Sequence, residues 1–338
     1  MLISSYMIYN ISRETGIPLI GTIYFGIIDR GTNLLQIRAS NICNLNCSFC
    51  SVDSGPDSKT RANNYFVELE YLVDTIKDVI KYKEIQDIEC HLDSTGEPIA
   101  YPKIVELARK LKEIPEVKIT SLQTNGTLIS KTKIKQLEKA KLDRINLSIN
   151  SMDGELAKKL SGVKWYDLEK IKYFAEEIAK SDIDLLIAPL YLPKINDGEI
   201  PKIINFAKEV GAGKKFPPLG IQKYEKYKLG RKPIGLKMQT WWKFYNHYLK
   251  KLEKKHSVKL ILKPEDFGIY KINPLPKTMK KNEKVRVEIV GPGWTNNEML
   301  GVARGRAVSI LNCKKESGTI KTKIVSNKHN IYVGVPIN

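Results

Sequence analysis

The chain has 338 residues, 42% of them hydrophobic and 28% charged, too apolar for a disordered chain and long enough for about two domains. Its 56 Lys and Arg against 37 Asp and Glu give a formal charge of +19. The excess is segregated: 25 basic and 26 acidic residues lie up to Pro193 (−1), leaving 31 basic and 11 acidic from Lys194 onward (+20). Such a field points to a polyanion, nucleic acid or an anionic membrane surface, near the C-terminal half, and fits a uniformly neutral small-molecule enzyme poorly. The longest apolar run, residues 185–190, is far short of the ~20 residues of a membrane span. Without a basic n-region or cleavage site at the start, a cytoplasmic protein with no membrane partner is expected.

After an N-terminal extension over 1–32, residues 33–40 read as a strand feeding into Asn41-Ile42-Cys43-Asn44-Leu45-Asn46-Cys47-Ser48-Phe49-Cys50. Three of the five cysteines fall within eight residues, spaced C-x3-C-x2-C. This is no disulfide framework. A structural zinc site would want a second pair downstream, whereas Cys90 and Cys313 are isolated. Three thiolates on three irons of a [4Fe-4S] cube would leave the fourth iron open to an external ligand, and the Asn and Ser residues between them argue against a mere run of core cysteines.

The motif resembles that of the radical SAM superfamily, C-x3-C-x-aromatic-C in the loop after the first barrel strand, with Phe49 as the aromatic residue. The resemblance implies Cys43, Cys47 and Cys50 as cluster ligands and S-adenosylmethionine chelated on the open iron. It further implies reductive cleavage to methionine and a 5′-deoxyadenosyl radical, an electron donor such as a ferredoxin or flavodoxin, and an α/β fold built as a partial (β/α)6 TIM-type barrel.

Further along, helices are predicted over 67–81, 102–113, 131–139, 166–180 and 199–210, and strands over 87–93, 117–123, 144–150, 183–190 and 219–224. With 33–40 these make six strands alternating with helices, a pattern of parallel βα units over 33–235. Period-two reading gives polar faces Gln36/Arg38/Ser40, Glu89/His91/Asp93, Ser121/Gln123/Asn125 and Asn146/Ser148/Asn150. Doubly buried parallel strands are usually apolar on both faces, so these stripes suggest a wet or ligand-filled lumen, with half-exposed strands as the bland alternative. His91 beside Asp93 is a candidate general base and equally a satisfied structural histidine; Cys90 points the other way and reads as packed. Ser94-Thr95-Gly96-Glu97-Pro98 is similar to the family's "GGEP" segment, with Thr95 in place of the first glycine, and the resemblance places Gly96 and Glu97 against the methionine amino group. By the same resemblance Asn125, Ser148 and Asn150 look like ribose or carboxylate contacts, and Ile221 could flank the adenine.

Past the sixth strand, Lys223, Tyr224, Tyr227, Arg231 and Lys232 interleave aromatic and cationic side chains, as an RNA-binding loop does; a plain solvated lysine loop competes. Trp241, Tyr245, Tyr248, Leu249 and Leu252 at helical spacing predict an amphipathic connecting helix over 236–256. From 257 to 338 short strands follow, over 285–290, 305–311, 319–325 and 331–335, predicting a small antiparallel β-barrel of OB-like size. It resembles a TRAM domain, the RNA-binding barrel of several tRNA-modifying enzymes, with Arg304 and Arg306 as phosphate contacts. The expected function is therefore radical modification of a nucleoside in RNA, tRNA first, by methylation or another radical step. A cofactor- or metabolite-making radical SAM enzyme and a non-enzymatic RNA-binding iron-sulfur sensor are the alternatives.

Overall fold

The computed structural model describes residues 7–337. The chain begins with β1 (Met7–Ile11), β2 (Gly26–Asp29) and β3 (Leu34–Arg38), and passes through the cysteine loop to β4 (Asn63–Val67). It then alternates: α1 (Leu69–Lys83), β5 (Ile88–Leu92), α2 (Ile104–Lys112), β6 (Val117–Thr124), α3 (Lys131–Lys139), β7 (Arg144–Leu147), α4 (Gly154–Ser161), α5 (Leu168–Lys180) and β8 (Asp184–Ile187). The short β9 (Leu190–Tyr191), α6 (Glu199–Glu209) and β10 (Gln222–Lys223) complete this part. The helices form where expected and for ordinary reasons. In α1, Leu69, Leu72, Val73, Ile76, Val79 and Ile80 recur at helical spacing and are buried. Ser130, Asp153 and Asp167 each cap a helix by accepting the backbone N–H three residues on. Helix α4, which the periodicity did not announce, has both punctuation marks: Asp153 at its start and Gly162, left-handed, at its end.

Strands β3, β5, β6, β7 and β8 pair in parallel in that order, and β2 adds antiparallel to β3 at the edge. The sixth parallel position is fragmentary: Leu219 bridges Ile187, and β10 pairs with β9. Pro189, Pro217 and Pro218 lack the N–H donors that a continuous ladder requires, so the expected strand 219–224 is a broken one. A second parallel pair, β1 with β4, lies outside this sheet. Among the described residues no helix is long and apolar enough to cross a membrane.

The connecting helix differs from a regular α-helix. Lys243–Leu249 winds as a π-helix before α7 (Lys250–His256), with Phe244 rather than Trp241 as its buried anchor. The winding stacks Tyr248 on Tyr191 at 3.7 Å between ring centroids, with Phe244 at 6.0 Å from the same ring.

Five strands then close a barrel: β11 (Lys284–Pro292), β12 (Glu298–Ala303), β13 (Arg306–Leu311), β14 (Gly318–Ser326) and β15 (Val333–Pro336), in the order β11-β12-β13-β15-β14. Two expectations are corrected. The barrel is not antiparallel throughout, because β13 and β15 pair in parallel. And Gly305 does not begin a strand: Arg304 and Gly305, both at positive φ, form the tight turn of the β12–β13 hairpin. The barrel shares its core with the larger sheet, since Trp294, Leu300 and Ala307 belong to the main hydrophobic cluster. Ala307 N–H donates to Ile20 O and Tyr332 N–H to Gly21 O. Gly21 has to be glycine there, because a Cβ would lie 2.0 Å from Ala307 O.

The bottom of the sheet is sealed by the chain that leads into the small barrel. Asn33 bonds Gly268 and Tyr270. Beneath it Lys83 and Asp29 form an ion pair of 2.9 Å with both side chains at 0% exposure. Asp29 also accepts from Gly31 N–H and Leu275 N–H. Asp29→Ala strands a buried ammonium and is expected to cost about 3–5 kcal/mol, read as a lower urea midpoint at unchanged slope. An unchanged midpoint would show that the pair does not hold this seam.

Candidate active site

The loop between β3 and β4 carries the three cysteines, and its course is set by backbone contacts from distant elements. Ile42 O accepts Glu97 N–H at 2.7 Å, Ser161 O accepts Asn46 N–H, Leu160 O accepts Ser48 N–H, and Cys50 O accepts Arg231 N–H at 2.8 Å. The Ser54 hydroxyl donates to Thr95 O. Gly96 sits so close beneath that a Cβ would lie 2.2 Å from Ile42 O. The loop is thus gripped from the β5 turn, from α4 and from the loop after β10. Arg231 adds its side chain: Nε to Asp53 at 2.7 Å and Nη1 to Cys47 O at 3.1 Å.

Cys43, Cys47 and Cys50 are free thiols lining one wall of a cavity of about 750 Å³, within the range of ligand sites. Burial pushes the Cys43 thiol well up and that of Cys47 up to about 12, so iron uptake has to displace protons. Ser54 N–H donates to Cys50 Sγ at 3.3 Å. Among the described residues no three His, Cys, Asp or Glu side chains converge on one ion. A cluster does not ask them to, because each thiolate binds a different iron. The three-thiol donor set therefore fits a cluster with one open iron. In the same cavity wall Thr95 Oγ1 is buried without a partner among the described residues, a polar atom left for a ligand.

The predicted residues are gathered here in large part. Phe49, His91, Asp93, Gly96, Glu97, Asn125, Ser148 and Asn150 all line the cavity, as do Gln36, Arg38 and Gln123. Glu97 is buried: Oε1 accepts from Ile99 N–H and the Thr124 hydroxyl, and Oε2 from Asn125 N–H at 2.7 Å. Burial pushes its carboxyl up to about 7 against those donors. Glu97 thereby fixes the turn that presents Asn125, whose amide bonds Asn44 and Thr127. Ser148 accepts from Gln123, and Asn150 Oδ1 from Leu190 N–H. On the floor, Asp93 pairs with Arg38 at 2.8 Å, which holds its carboxyl below the usual range despite burial. His91 Nδ1 meets Ser121 Oγ at 2.7 Å.

Other predicted residues are placed differently. Ile221 is in the core and does not line the cavity; its neighbours Gln222 and Lys223 do. Lys223, Tyr224 and Arg231, expected to face a nucleic acid, turn inward. Lys223 Nζ is buried against Glu225 and Gln239 O and lies over the Trp241 ring. Tyr224 packs with Phe49 and Leu160. Tyr227 is 53% exposed at the cavity rim, and Lys232 is exposed. Arg304 pairs with Glu283 at 2.7 Å and Arg306 donates to Gly305 O and Pro276 O, both away from the cavity. The sequence reading missed Arg30, Tyr166 and Ile331, which line the cavity. Their positions depend on long-range packing of β2, the α4–α5 loop and the small barrel, for which no local pattern exists.

The chain matches the family model described as Radical SAM superfamily over residues 37–207, half its length. It is 45% identical, over 94% of its length, to an uncharacterized protein of Methanocaldococcus jannaschii, covering 78% of that protein. To the probable GTP 3',8-cyclase of Sulfurisphaera tokodaii it is 29% identical over 65% of its length, spanning 62% of the relative. Among solved structures, Streptococcus suis SuiB bound to its precursor peptide SuiA has the same fold, with a TM-score of 0.51 and 19% identity over 73% of this chain and 49% of SuiB. The chain belongs to the radical SAM superfamily, whose enzymes hold a [4Fe-4S] cluster and S-adenosylmethionine at such a cysteine loop.

Proposed function

We propose that the protein is a radical SAM enzyme that modifies a nucleoside within RNA, tRNA first, with the C-terminal barrel as the RNA-binding element of TRAM type. Cys43, Cys47 and Cys50 would hold the cluster, with the segment Thr95 to Glu97 and the side chains of Asn125, Ser148 and Asn150 around S-adenosylmethionine. When bound, the cluster, reduced by a low-potential donor such as a ferredoxin or flavodoxin, supplies the electron that cleaves S-adenosylmethionine to methionine and a 5′-deoxyadenosyl radical. The chain's own contribution is positional. Arg231 and Gly96 hold the cysteine loop, and Glu97 fixes Asn125.

The observation that carries the RNA reading is two pairs of facing cations on the small barrel. Lys284 stands opposite Lys323, and Arg286 opposite Lys321, across the antiparallel β11–β14 ladder. Three of the four are exposed and Lys323 is half-buried. Like charges directly opposite weaken a sheet, and a phosphate chain would relieve them. The barrel's Ile331 meanwhile lines the cavity, so the barrel borders the site the RNA would enter. A free nucleotide is the second reading, favoured by the likeness to the probable GTP 3',8-cyclase.

Anaerobically reconstituted protein with dithionite and S-adenosylmethionine is expected to form 5′-deoxyadenosine, and Cys43→Ala to lose both cluster absorbance and product. A cluster without product would favour the sensor. In a salt series with total tRNA, Arg286→Ala/Lys321→Ala is expected to flatten the slope of log affinity against log salt by about 1.4–1.8. No binding at low salt, together with 5′-deoxyadenosine formation stimulated by GTP, would replace RNA by the free nucleotide.

A further inference from the structure

We infer that the floor of the cavity holds a built recognition site for a hydrogen-bond donor of the substrate, an N–H or O–H group, with Nε2 of His91 as the accepting atom. The inference rests on the reading that the substrate enters this cavity. It does not depend on whether that substrate is RNA or a free nucleotide.

The register of the sheet puts Gln36, His91, Ser121 and Arg144 in one row, on β3, β5, β6 and β7. Arg144 and Glu89 form an ion pair of 2.6 Å with both side chains 3% exposed, so Glu89 is an acceptor only. The Ser121 hydroxyl donates to Glu89 Oε1 at 2.6 Å. Its one proton is then committed, and the 2.7 Å contact between Ser121 Oγ and His91 Nδ1 leaves a single assignment: Nδ1–H donates and Ser121 Oγ accepts. The neutral imidazole consequently carries its lone pair on Nε2. Among the described residues none hydrogen-bonds Nε2, and that atom is not among the buried unsatisfied ones, so it is open to the cavity that His91 lines.

The surroundings keep the ring neutral and the acceptor free. Burial, the largest influence, pushes the imidazole below its ordinary range, with Asp93 and Glu89 opposing and Arg144 and Arg38 adding to it. The two carboxylates that could protonate the ring are spoken for, Glu89 by Arg144 and Asp93 by Arg38. On the β3 side Gln36 accepts from Arg30 Nε and donates to Asp93, and on the β6 side Gln123 donates to Ser148. An accepting atom open to the cavity selects a donor: a substrate edge offering only acceptors there would leave two lone pairs opposed. Exocyclic amino and ring imino groups of nucleobases, and ribose hydroxyls, meet the requirement.

The test begins with the tautomer in the full-length protein. The chain has four histidines, so histidine-selective nitrogen-15 labelling gives a sparse spectrum in which His91→Gln assigns one ring. The expected pattern at neutral pH is protonated Nδ1 and bare Nε2, and Ser121→Ala, which removes the acceptor of Nδ1–H, shifts the ring toward the Nε2–H tautomer. An Nε2–H or doubly protonated His91 in the unaltered protein overturns the inference. In the second arm, with unfractionated tRNA from cells lacking the gene, His91→Leu lowers modified nucleoside yield roughly 10- to 100-fold, and His91→Gln, which keeps an acceptor oxygen, restores most of it. Equal loss in both variants, or none in His91→Leu, overturns the recognition role. Where tRNA is neither bound nor modified, the same pair is compared with GTP as substrate, so failure of the RNA reading is distinguished from failure of the site.

Discussion

The backbone of the cysteine loop is the constraint from which the rest of the site follows. A loop that must expose three thiols to a cavity has few side chains left to bury, Leu45 and in part Phe49, and its buried carbonyls and amides need partners. Those partners come from far away: Glu97 from the turn after β5, Leu160 and Ser161 from α4, and Arg231 from the loop after β10. Each contact couples the cysteines to a different wall of the barrel. The glycine at 96 follows from this, because only a residue without Cβ lets the β5 turn lie on Ile42 O. So does the placing of Glu97, whose backbone N–H holds the loop while its side chain holds Asn125. One residue thus ties the cysteine loop to the turn that carries Asn125.

The lumen is polar for a related reason. Strands buried on both faces would ordinarily be apolar inward, and here the inward residues of β3, β5, β6 and β7 are Gln36, Arg38, Glu89, His91, Asp93, Ser121, Gln123 and Arg144. They are tolerated because they satisfy one another in ion pairs and short hydrogen bonds. Arg144 is further packed by Phe216 and Phe267, with ring centroids 4.4 and 5.0 Å from its guanidinium carbon. The network leaves a few of its own buried atoms unpartnered, Arg38 Nε, Glu89 Oε2 and Arg144 Nη1 among the described residues, while its ion pairs and hydrogen bonds fix the side chains that face the cavity.

What the sequence disclosed tracks how local each signal is. The cysteine spacing and the polar period-two stripes are written in consecutive residues, and they pointed to the cysteine loop, the polar lumen and many of the residues that line the cavity. Helix α4 was equally legible from Asp153 and Gly162 but its amphipathic run is too short to stand out. The antiparallel edge strand β2, the β1–β4 pair and the parallel β13–β15 pairing depend on partners distant in sequence, where no periodicity reports who the neighbour is. The same limit misplaced Lys223 and Tyr224. A strand-end Lys-Tyr beside a lysine-rich loop looks like a solvated surface, and only the fold reveals that Glu225, Gln239 and Phe49 draw these side chains inward.

The net charge of +19 has to be divided by what each cation does. Lys83, Arg144, Lys223, Arg231 and Arg304 all answer carboxylates within the chain, and a charge so neutralised contributes little field outside it. Exposed lysines of the loop after β10 and of the connecting helix, such as Lys226, Lys228, Lys250 and Lys254, keep their field, and on the barrel some cations are set directly against one another. On β11 and β14 the alternation of strand residues buries Val285, Val287 and Thr322 on one face and turns Lys284, Arg286, Lys321 and Lys323 to the other. No carboxylate stands between the two facing pairs in that register, whereas Glu288 at the next position faces Thr319. Folding therefore assembles a cationic stripe that its own sheet would be more stable without. The proposed RNA contact rests on this stripe of the barrel and not on the aromatic loop beside the cysteines, whose Lys223, Tyr224 and Arg231 turn inward.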